Sequence, residues 1–352
     1  MSLTVGVVGC GNISNFHFPG LEQAGANIKW VCDLSEDAAR PWAIRHDATY
    51  TDDFHDVIAD PEIDVLDVTA ISSTHKQICL EAIAKGKAVI CEKTLAENAD
   101  DSLAIVSAAK SAGTVFYTSY MKRFIPAVQK AKDLMPGIGR IISTHIRAYQ
   151  PWGDLWNENP PSGFLHTPSE GKSVVRKNYG GGILVCGGSH ILDLIGFFLG
   201  RPGWVCSDMY TPEDRDYDLQ ASALLHTENG AVHLDALAHP LKKIGFLDDG
   251  WDEKIEIIGT EGKLDVLSAK WDQPDFKASK CVHYDNKTGA RREYLFEPVS
   301  PFVRAIEFYL RNIAKGQQGE QPITTGYDVD ELISSIEKSS HENSIITVNF
   351  RI

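Results

Sequence analysis

No apolar run in the 352-residue sequence approaches the ~20 residues that a membrane-spanning helix requires. The first residues, Met1-Ser2-Leu3, lead directly into a strand-like run and lack the basic and apolar regions of a secretory signal. The chain also lacks a basic surplus, because 34 lysines and arginines face 48 acidic residues and leave a net charge of −14. This balance argues against nucleic acid and anionic membranes as partners. We therefore expect a cytoplasmic protein that binds neither.

Cysteine pairs with the spacing of metal sites or disulfides are absent as well. The sequence contains seven cysteines, an odd number, and none of them forms a Cys-x-x-Cys pair. This pattern indicates neither a disulfide framework nor a zinc knuckle, and it predicts no metal site. We expect most of these cysteines to be small, buried, apolar side chains in a reducing compartment.

The first 120 residues or so alternate between short β-rich runs and helical stretches. The predicted helices include residues 76–85 and 102–112, each followed by a glycine that is typical of a helix end. Such βα units predict a parallel sheet that is covered by helices on both faces. The strands are predicted at residues 4–8, 28–32, 65–70, 87–91 and 114–120.

The pattern changes after Arg123. Residues 150–180 are rich in proline, glycine, tryptophan and charge, and they are typical of a long functional loop. Hairpin signals dominate from about residue 200, such as Asn229-Gly230 between two strand-like runs. We expect a second domain of the α+β class, with an open, mostly antiparallel sheet and helices on one face. Its helices are predicted at residues 127–134, 183–199, 302–314 and 328–338.

A glycine motif, Gly9-Cys10-Gly11-Asn12-Ile13-Ser14, comes directly after the first strand. In this position Gly9 permits a tight turn, and Gly11 lets backbone N–H groups approach a pyrophosphate at the helix N-terminus. Ser14 replaces the third glycine of the usual motif and is small enough for close packing of helix and strand. We therefore predict that this turn holds a dinucleotide through Gly9, Gly11, Asn12 and Ile13.

An acidic residue supports this prediction. Asp33 ends the second strand about 20 residues after the motif, where a carboxylate binds the ribose hydroxyls of a dinucleotide. The same carboxylate repels a 2′-phosphate, and neither Leu34 nor Ser35 supplies an arginine to bind one. The sequence therefore favours NAD over NADP.

Two further positions carry groups that are suited to acid–base chemistry. Lys93 follows the strand at 87–91, at the carboxyl end where open α/β sheets bind ligands, and it either holds a substrate hydroxyl or is an ordinary surface lysine. His190 and Asp193 lie three residues apart on an apolar helix and share a face. His190 is either a general base, with an ordinary pKa of ~6.5, or a core histidine whose partner is Asp193.

Together these residues resemble the glucose-fructose oxidoreductase/inositol dehydrogenase/MocA family over nearly the whole chain. The order and spacing of the matching stretches are specific to that family, whereas the glycine motif alone is not. The stretches are VGVVGCGNISNFH, HKQICLEAIAKGKAVICEKTLAE, Arg123-Phe124, GGGILVCGGSHILDLIGFFLG and IEIIGTEGKLDV. The resemblance implies a Rossmann domain at residues 1–122 that binds NAD. It also implies a domain at residues 123–352 that binds substrate and forms a dimer or tetramer through its sheet.

The resemblance also implies roles for individual residues. Lys93 matches the lysine of the family's Glu-Lys-Pro motif, and residues 186–193 match its Asp-x-Gly-x-His-x-x-Asp helix. The catalytic residues are thus expected to be Lys93, His190 and Asp193. The additional cofactor contacts are expected to be Ser72, His75, Glu92 and Lys93. The substrate contacts are expected to be Arg123, Cys186 and His190, joined by position alone by Trp152 and Arg176.

The sequence departs from the family pattern in three places. Thr94 stands where the family has the proline of its Glu-Lys-Pro motif, and Ala70-Ile71-Ser72 replaces a Thr-Pro-Asn-like loop. Cys186 replaces the first acid of the helix motif. An ordinary cysteine has a pKa of ~8.5 and stays mostly protonated near neutrality, so a neutral thiol replaces a carboxylate there.

The expected activity is hydride transfer between NAD and a sugar, an inositol or a related polyol. Two alternatives remain open at this point. The first is NAD-dependent glycoside cleavage or epimerisation through transient oxidation, which the family resemblance allows. The second is a sensor that binds NAD and a sugar without turnover, which the departures at Thr94 and Cys186 allow.

Overall fold

The computed structural model describes residues 2–156, 167–169, 172–174, 181–213, 215 and 217–352. Contacts between residues group the chain into two compact units. Unit 1 comprises Met1–Met121, Phe302–Asp330 and Arg351–Ile352, and unit 2 comprises Lys122–Pro301 and Glu331–Phe350. In the described ranges, no helix combines the length and the apolar character needed to cross a membrane.

Unit 1 is built on a six-stranded parallel sheet. Its strands are β1 (Thr4–Val8), β2 (Asn27–Cys32), β3 (Thr49–Thr51), β4 (Val65–Val68), β5 (Ala88–Cys91) and β6 (Phe116–Thr118). The intervening helices are α1 (Ser14–Gln23), α2 (Glu36–His46), α3 (Phe54–Ala59), α4 (Ser72–Ala84) and α5 (Ala99–Ala112). The strand order β3-β2-β1-β4-β5-β6 is that of a doubly wound Rossmann sheet, which confirms the predicted fold of the N-terminal part.

Local sequence explains where several of these elements begin and end. The Asn98 side chain accepts a hydrogen bond from the backbone N–H of Asp101, so α5 begins at Ala99 rather than at the predicted residue 102. Gly113 ends α5 in the left-handed conformation, with a φ of 66°. The sequence pattern did not predict α2, because this helix is rich in charge and contains Pro41.

Unit 2 contains a nine-stranded sheet and a separate strand pair. The strand pair is β8 (Thr167–Ser169) with β9 (Lys172–Val174). The other strands are β7 (Ile141–Gln150), β10 (Trp204–Tyr210), β11 (Gln220–Thr227), β12 (Gly230–Ala238), β13 (Asp252–Gly259), β14 (Gly262–Ser268), β15 (Lys280–Asp285), β16 (Ala290–Tyr294) and β17 (Ile346–Thr347). Their order is β16-β15-β14-β13-β7-β12-β11-β10-β17. Among these described strands, β7 and β12 pair in parallel and the other neighbours pair antiparallel, which confirms the predicted open, mostly antiparallel sheet.

The two faces of the unit 2 sheet differ in polarity. Helix α6 (Pro126–Leu134) packs against β14 and β15, and α7 (Ser189–Leu199) packs against β7 and β12. Apolar residues of β7 and β12 such as Ile146 and Leu234 are buried. The residues that alternate with them, including His145 and Asp235, line a cavity of about 660 Å³ on the sheet. This alternation is the period of two that one covered face and one open face require.

Part of the C-terminal segment packs with the Rossmann sheet. The last helices are α8 (Pro301–Ile313) and α9 (Thr325–Glu342). The Phe302 ring of α8 stacks on Phe16 of α1 with centroids 5.3 Å apart, and a Cβ on Gly20 would lie 2.6 Å from the Ile306 side chain. These contacts group residues 302–330 with unit 1, whereas the sequence pattern assigns every residue after 122 to the second domain.

Candidate functional site

The glycine turn between β1 and α1 leaves room for a ligand on one side and none on the other. Gly9 has a φ of 103°, and a Cβ there would lie 2.4 Å from the backbone nitrogen of Ala70, so only glycine fits. A Cβ on Gly11 would meet nothing within 4 Å. Helix α1 begins after Ile13 without a side-chain cap, and the N–H groups of Ser14 and Phe16 donate to the carbonyl oxygens of Gly11 and Ile13. The turn therefore fits the pyrophosphate of a dinucleotide.

Asp33 is fixed beside this turn. One oxygen of its carboxylate accepts a hydrogen bond of 2.6 Å from the backbone N–H of Cys10, and the other accepts one of 2.8 Å from Ser35. The carboxylate is only half-buried, so its remaining lone pairs are accessible. The predicted pair of glycine turn and acid is thus assembled within unit 1, and it fits the ribose of a dinucleotide.

His75 joins the two loops that follow β4 and β5. Its Nε2 lies 3.0 Å from the carbonyl oxygen of Ala70, and its Nδ1 lies 3.1 Å from that of Thr94. The ring is fully buried, and burial lowers the pKa of His75. His75 therefore supports both loops, and its predicted contact with the cofactor stays a prediction. Ser72, another predicted contact, is the first residue of α4.

Lys93 is the second residue after β5, at the carboxyl end of the strand as the sequence predicts, and it is half-buried. The peptide bond between Lys93 and Thr94 is cis. The backbone N–H of Lys93 donates a 3.1 Å hydrogen bond to the carboxylate of Glu92. The Glu92 side chain is itself buried, so it contacts the backbone of the neighbouring lysine from inside the unit.

Glu92 belongs to a buried cluster of charged side chains that the sequence analysis did not identify. His17 of α1 lies between Asp67 of β4, 3.0 Å from its Nδ1, and Glu92, 3.0 Å from its Nε2. All three side chains are buried. One sequence signal could have found it, because Asp67 interrupts the apolar strand Val65–Val68 and a buried carboxylate needs a partner.

In unit 2 the structure pairs two predicted site residues with each other. The guanidinium of Arg123 donates to both carboxylate oxygens of Asp193, with distances of 2.7 Å from Nη2 and 2.8 Å from Nε. Both residues are buried. Asp193 had been predicted to act with His190, and Arg123 to contact substrate. Those roles stay predictions, but the geometry identifies a bidentate buried ion pair.

A second buried ion pair in unit 2 was also missed. The Lys122 ammonium donates to both oxygens of Glu253, at 2.5 and 2.6 Å, and its side chain is almost fully buried. Gln150, at the end of β7, donates a 2.7 Å hydrogen bond to the same carboxylate. The sequence offered only a weak indication of this pair, namely a lysine next to Arg123.

Cys186 and His190 lie on a helix that changes its hydrogen-bonding pattern. Residues Leu184–Gly188 form a π-helical turn, which continues into α7 at Ser189. Residues four apart share a face only where the helix is α-helical, and α-helical spacing holds here only from Ser189 onward, so it does not relate Cys186 to His190. Cys186 is partly exposed and His190 is buried. Asp218 fixes the start of the π turn by accepting a 2.9 Å hydrogen bond from the backbone N–H of Leu184.

The remaining predicted substrate residues lie near or in the long loop. Trp152 packs against an apolar cluster of unit 2. This cluster consists of Leu155, Tyr217, Leu219 and Ala238. Arg176 lies outside the described residues.

Comparison with known families agrees with this architecture. Residues 3–120 match the model described as "Oxidoreductase family, NAD-binding Rossmann fold", and residues 128–265 match the "GFO/IDH/MocA C-terminal domain". The chain belongs to the GFO/IDH/MocA oxidoreductase family. Membership confirms the resemblance seen in the sequence and assigns NAD-type dinucleotide binding to unit 1.

Relatives of this chain align either at low identity over most of its length or at higher identity over about a third of it. The myo-inositol 2-dehydrogenase of Thermotoga maritima is 22% identical over 349 residues, which is 92% of this chain and 94% of that protein. An uncharacterized oxidoreductase of Bacillus subtilis, YrbE, is 24% identical over 74% of this chain and 72% of its own length. The inositol 2-dehydrogenase of Burkholderia vietnamiensis is 40% identical, but over only 31% of this chain and 33% of its own length.

Solved structures of GFO/IDH/MocA type share the fold of the whole chain. A levoglucosan dehydrogenase in complex with NADH and levoglucosan has a TM-score of 0.83 at 21% identity, covering 99% of this chain and 100% of that one. The myo-inositol 2-dehydrogenase of Lactobacillus plantarum has a TM-score of 0.77 at 18% identity, with coverage of 99% and 100%. At such identities the similarity establishes the fold.

Proposed function

We propose that this family member is an NAD-dependent dehydrogenase that acts on the CH–OH group of a sugar, an inositol or a related polyol. The observation that carries this proposal is the glycine turn whose Cys10 N–H holds the carboxylate of Asp33. This arrangement presents helix N–H groups for a pyrophosphate and a carboxylate for ribose hydroxyls in one surface of unit 1.

The names of the relatives support the substrate class. The Thermotoga maritima relative is named for the oxidation of myo-inositol, and a structural neighbour was solved with NADH and levoglucosan. Both compounds carry several hydroxyl groups on a ring. A polyhydroxylated ring is therefore the first class of compound to test.

The surroundings of Asp33 support NAD rather than NADP. A 2′-phosphate would bring two negative charges against a carboxylate that backbone hydrogen bonds already hold in place. Leu34, which follows, is 90% exposed and offers no cationic group. A preference for NAD follows from charge repulsion together with the missing arginine.

The proposed chemistry assigns one role to each of two residues. Lys93 donates a hydrogen bond from its ammonium to the reacting hydroxyl and thereby orients it. His190 acts as the general base that removes the hydroxyl proton, since an imidazole of ordinary pKa is suited to proton transfer near neutrality. The bound nicotinamide ring supplies the hydride acceptor. Cys186 supplies a neutral group where a carboxylate is usual in the family.

We also propose the assembly and location of the protein. The open face of the unit 2 sheet supports a homo-oligomer, because an uncovered sheet face can pack against the same face of a second copy. The seven cysteines, all among the described residues, form no disulfide bond, which supports a reducing, cytoplasmic location.

A substrate screen tests the proposed function directly. The protein is incubated with NAD or NADP and a panel of inositols, anhydrosugars, aldoses and sugar acids, and reduction is followed at 340 nm. We expect NAD reduction with at least one cyclic polyol, and loss of at least about a hundredfold in kcat for Lys93→Met and for His190→Ala. Absence of reduction with the whole panel, or near-normal turnover in both variants, would overturn the proposal.

A further inference from the structure

The buried cluster of His17, Asp67 and Glu92 in unit 1 has no role in the proposed chemistry so far. The imidazole of His17 has no exposed surface, and its two nitrogens each face a carboxylate at 3.0 Å. Carboxylates accept hydrogen bonds, so both nitrogens must donate and the ring is an imidazolium. The cluster therefore holds one positive and two negative charges away from water.

The charges on either side of His17 explain why it stays protonated. Burial alone would lower the pKa of His17, but the negative charges of Asp67 and Glu92 outweigh it and raise the pKa to about 10. Glu92 responds in the opposite direction. Burial favours its neutral form, yet the hydrogen bond and the charge of His17 lower the pKa of Glu92. Each group thus keeps the other ionised at neutral pH.

Glu92 connects this cluster to Lys93. Its Oε1 faces His17, while its Oε2 accepts the 3.1 Å hydrogen bond from the backbone N–H of Lys93. The two oxygens of the Glu92 carboxylate therefore connect His17 of helix α1 to the backbone of Lys93. Because the carboxylate is buried and planar, fixing one oxygen also fixes the other.

We propose that His17 is a positioning residue for Lys93, acting through the carboxylate of Glu92 that it fixes. This proposal rests on the proposed function, in which the Lys93 ammonium orients the reacting hydroxyl. His17 itself touches neither substrate nor cofactor in it. Without the imidazolium, Glu92 keeps its contact with Ser119 but loses the hydrogen bond that fixes its Oε1, and the backbone at Lys93 gains freedom to move away from the productive geometry.

Apolar side chains could have stabilised the fold at the position of this cluster. Replacing a buried ion cluster by apolar side chains of similar volume is often neutral or stabilising, so stability alone does not explain why three ionisable residues occupy this site. The backbone N–H of Lys93 needs an oriented acceptor, and an apolar core supplies none. The requirement for that acceptor accounts for Glu92, and the burial of Glu92 accounts for His17.

The test compares His17 with a second histidine that also lies between two carboxylates. His55 has Asp53 at 2.5 Å and Glu81 at 3.3 Å, but it is about half exposed and lies on α3, which follows β3, whereas Lys93 follows β5. We compare His17→Gln with His55→Gln in the full-length protein. A glutamine at 17 keeps a neutral donor for one carboxylate and limits the loss of packing.

The first readout does not depend on catalysis. Backbone hydrogen–deuterium exchange is measured on peptides that contain residues 92–96. We expect exchange at Lys93 to become at least about tenfold faster in His17→Gln, because its acceptor is no longer fixed. His55→Gln should match the parent protein. Unchanged exchange at Lys93 in a folded His17→Gln protein would overturn the proposal.

The second readout separates positioning from a general loss of structure. With an active polyol, we expect His17→Gln to lower kcat at least about tenfold, while the dissociation constant of NADH changes less than about threefold. Equal losses in kcat and in NADH affinity would indicate a general structural defect and overturn the proposal. Should His17→Gln fail to fold, Asp67→Asn is measured in the same way. This variant removes the charge of Asp67, which lies on the other side of His17 from Glu92. We therefore expect a smaller change in the same direction, and no change would overturn the proposal.

Failure of this proposal and failure of the proposed function give different results. If the parent protein reduces NAD with none of the polyols, the proposed function fails, while hydrogen exchange at Lys93 still tests the contact through Glu92. If the parent protein is active and His17→Gln changes neither exchange nor kcat, the positioning role fails and the dehydrogenase assignment stands.

Discussion

At the scale of single residues, Asp33 combines a structural contact with a binding role. Its carboxylate holds the backbone at Cys10 and Ser35, and it is also the group proposed to bind the adenosine ribose. Replacement by asparagine removes the charge, and its single amide oxygen still accepts from Cys10, whereas the hydrogen bond from Ser35 is lost.

We therefore expect Asp33→Asn to weaken NAD binding by about 1.5–3 kcal/mol, the loss typical of a charge-assisted hydrogen bond. Relative affinity for NADP should rise, because the repulsion of the 2′-phosphate disappears. Isothermal titration calorimetry with both dinucleotides measures the change, and Asp37→Asn on the exposed first turn of α2 is the control. Tighter binding of NADP than of NAD by the parent protein would refute the assignment of Asp33.

For Asp193 the structure leads to a prediction about stability, whereas its sequence position suggests a catalytic role. Its carboxylate pairs with the buried guanidinium of Arg123, so removal leaves an uncompensated positive charge in the interior of unit 2. We expect Asp193→Ala to lower the free energy of unfolding by about 3–5 kcal/mol. Asp133→Ala, on the exposed face of α6, should change it by less than about 0.5 kcal/mol.

Urea unfolding of the two variants measures this difference. An Asp193→Ala protein that is as stable as the parent but inactive would contradict the structural role and favour the predicted catalytic one. A protein that is destabilised in proportion to its loss of activity would identify Asp193 mainly as the partner of Arg123.

At the scale of elements, the π turn before α7 depends on a close backbone approach. A Cβ on Gly182 would lie 2.3 Å from the backbone nitrogen and 2.4 Å from the carbonyl oxygen of Asp218. That oxygen accepts the 3.0 Å hydrogen bond from Ile183 with which the helical segment begins. Neither backbone can move without losing this contact, so the turn requires glycine at this position.

We expect Gly182→Ala to destabilise the protein by about 1–3 kcal/mol, the usual range for overpacking. Gly196 of α7 is the control, since a Cβ there would meet nothing within 4 Å. Gly196→Ala should be neutral or stabilising by up to about 1 kcal/mol, because alanine is the better helix former. Thermal unfolding of both variants measures the difference in stability. An equal effect of the two substitutions would rule out the close approach as the cause.

At the scale of the whole molecule, the buried imidazolium of His17 makes stability depend on pH. The unfolded chain releases this proton near pH 6.5, whereas in the folded protein the pKa is raised to about 10. The stabilisation is therefore complete below pH 6.5 and is lost as the pH rises toward 10. We expect the free energy of unfolding to fall over this window, by at most about 1.4 kcal/mol per pH unit from this group.

Urea titrations at intervals between pH 6 and pH 10 check this expectation. The decline should be shallower in His17→Gln, which has no proton to lose at that position, and unchanged in His55→Gln. A parallel decline in the parent protein and in His17→Gln would show that other groups cause it.

Much of the fold could be predicted because it depends on neighbours in the chain. Short apolar, β-rich runs predicted β1 and β5 to within one residue, and the glycine turn with Asp33 followed from spacing within one βα unit. The position of Lys93 after β5 followed in the same way. Patterns of this kind depend on backbone geometry and local burial, which a sequence displays directly.

Other features depended on contacts between distant parts of the chain. His17 and Glu92 are 75 residues apart in the sequence, and Arg123 and Asp193 are 70 residues apart. No local spacing in the sequence therefore indicates either pair. The grouping of α8 with the Rossmann sheet likewise rests on its packing against α1. A buried charge is stable only beside its partner, and the packing of helices and strands selects that partner. The sequence thus predicted the turn and the acid that suit a dinucleotide, whereas tertiary packing decided which carboxylate pairs with Arg123 and which one holds the backbone of Lys93.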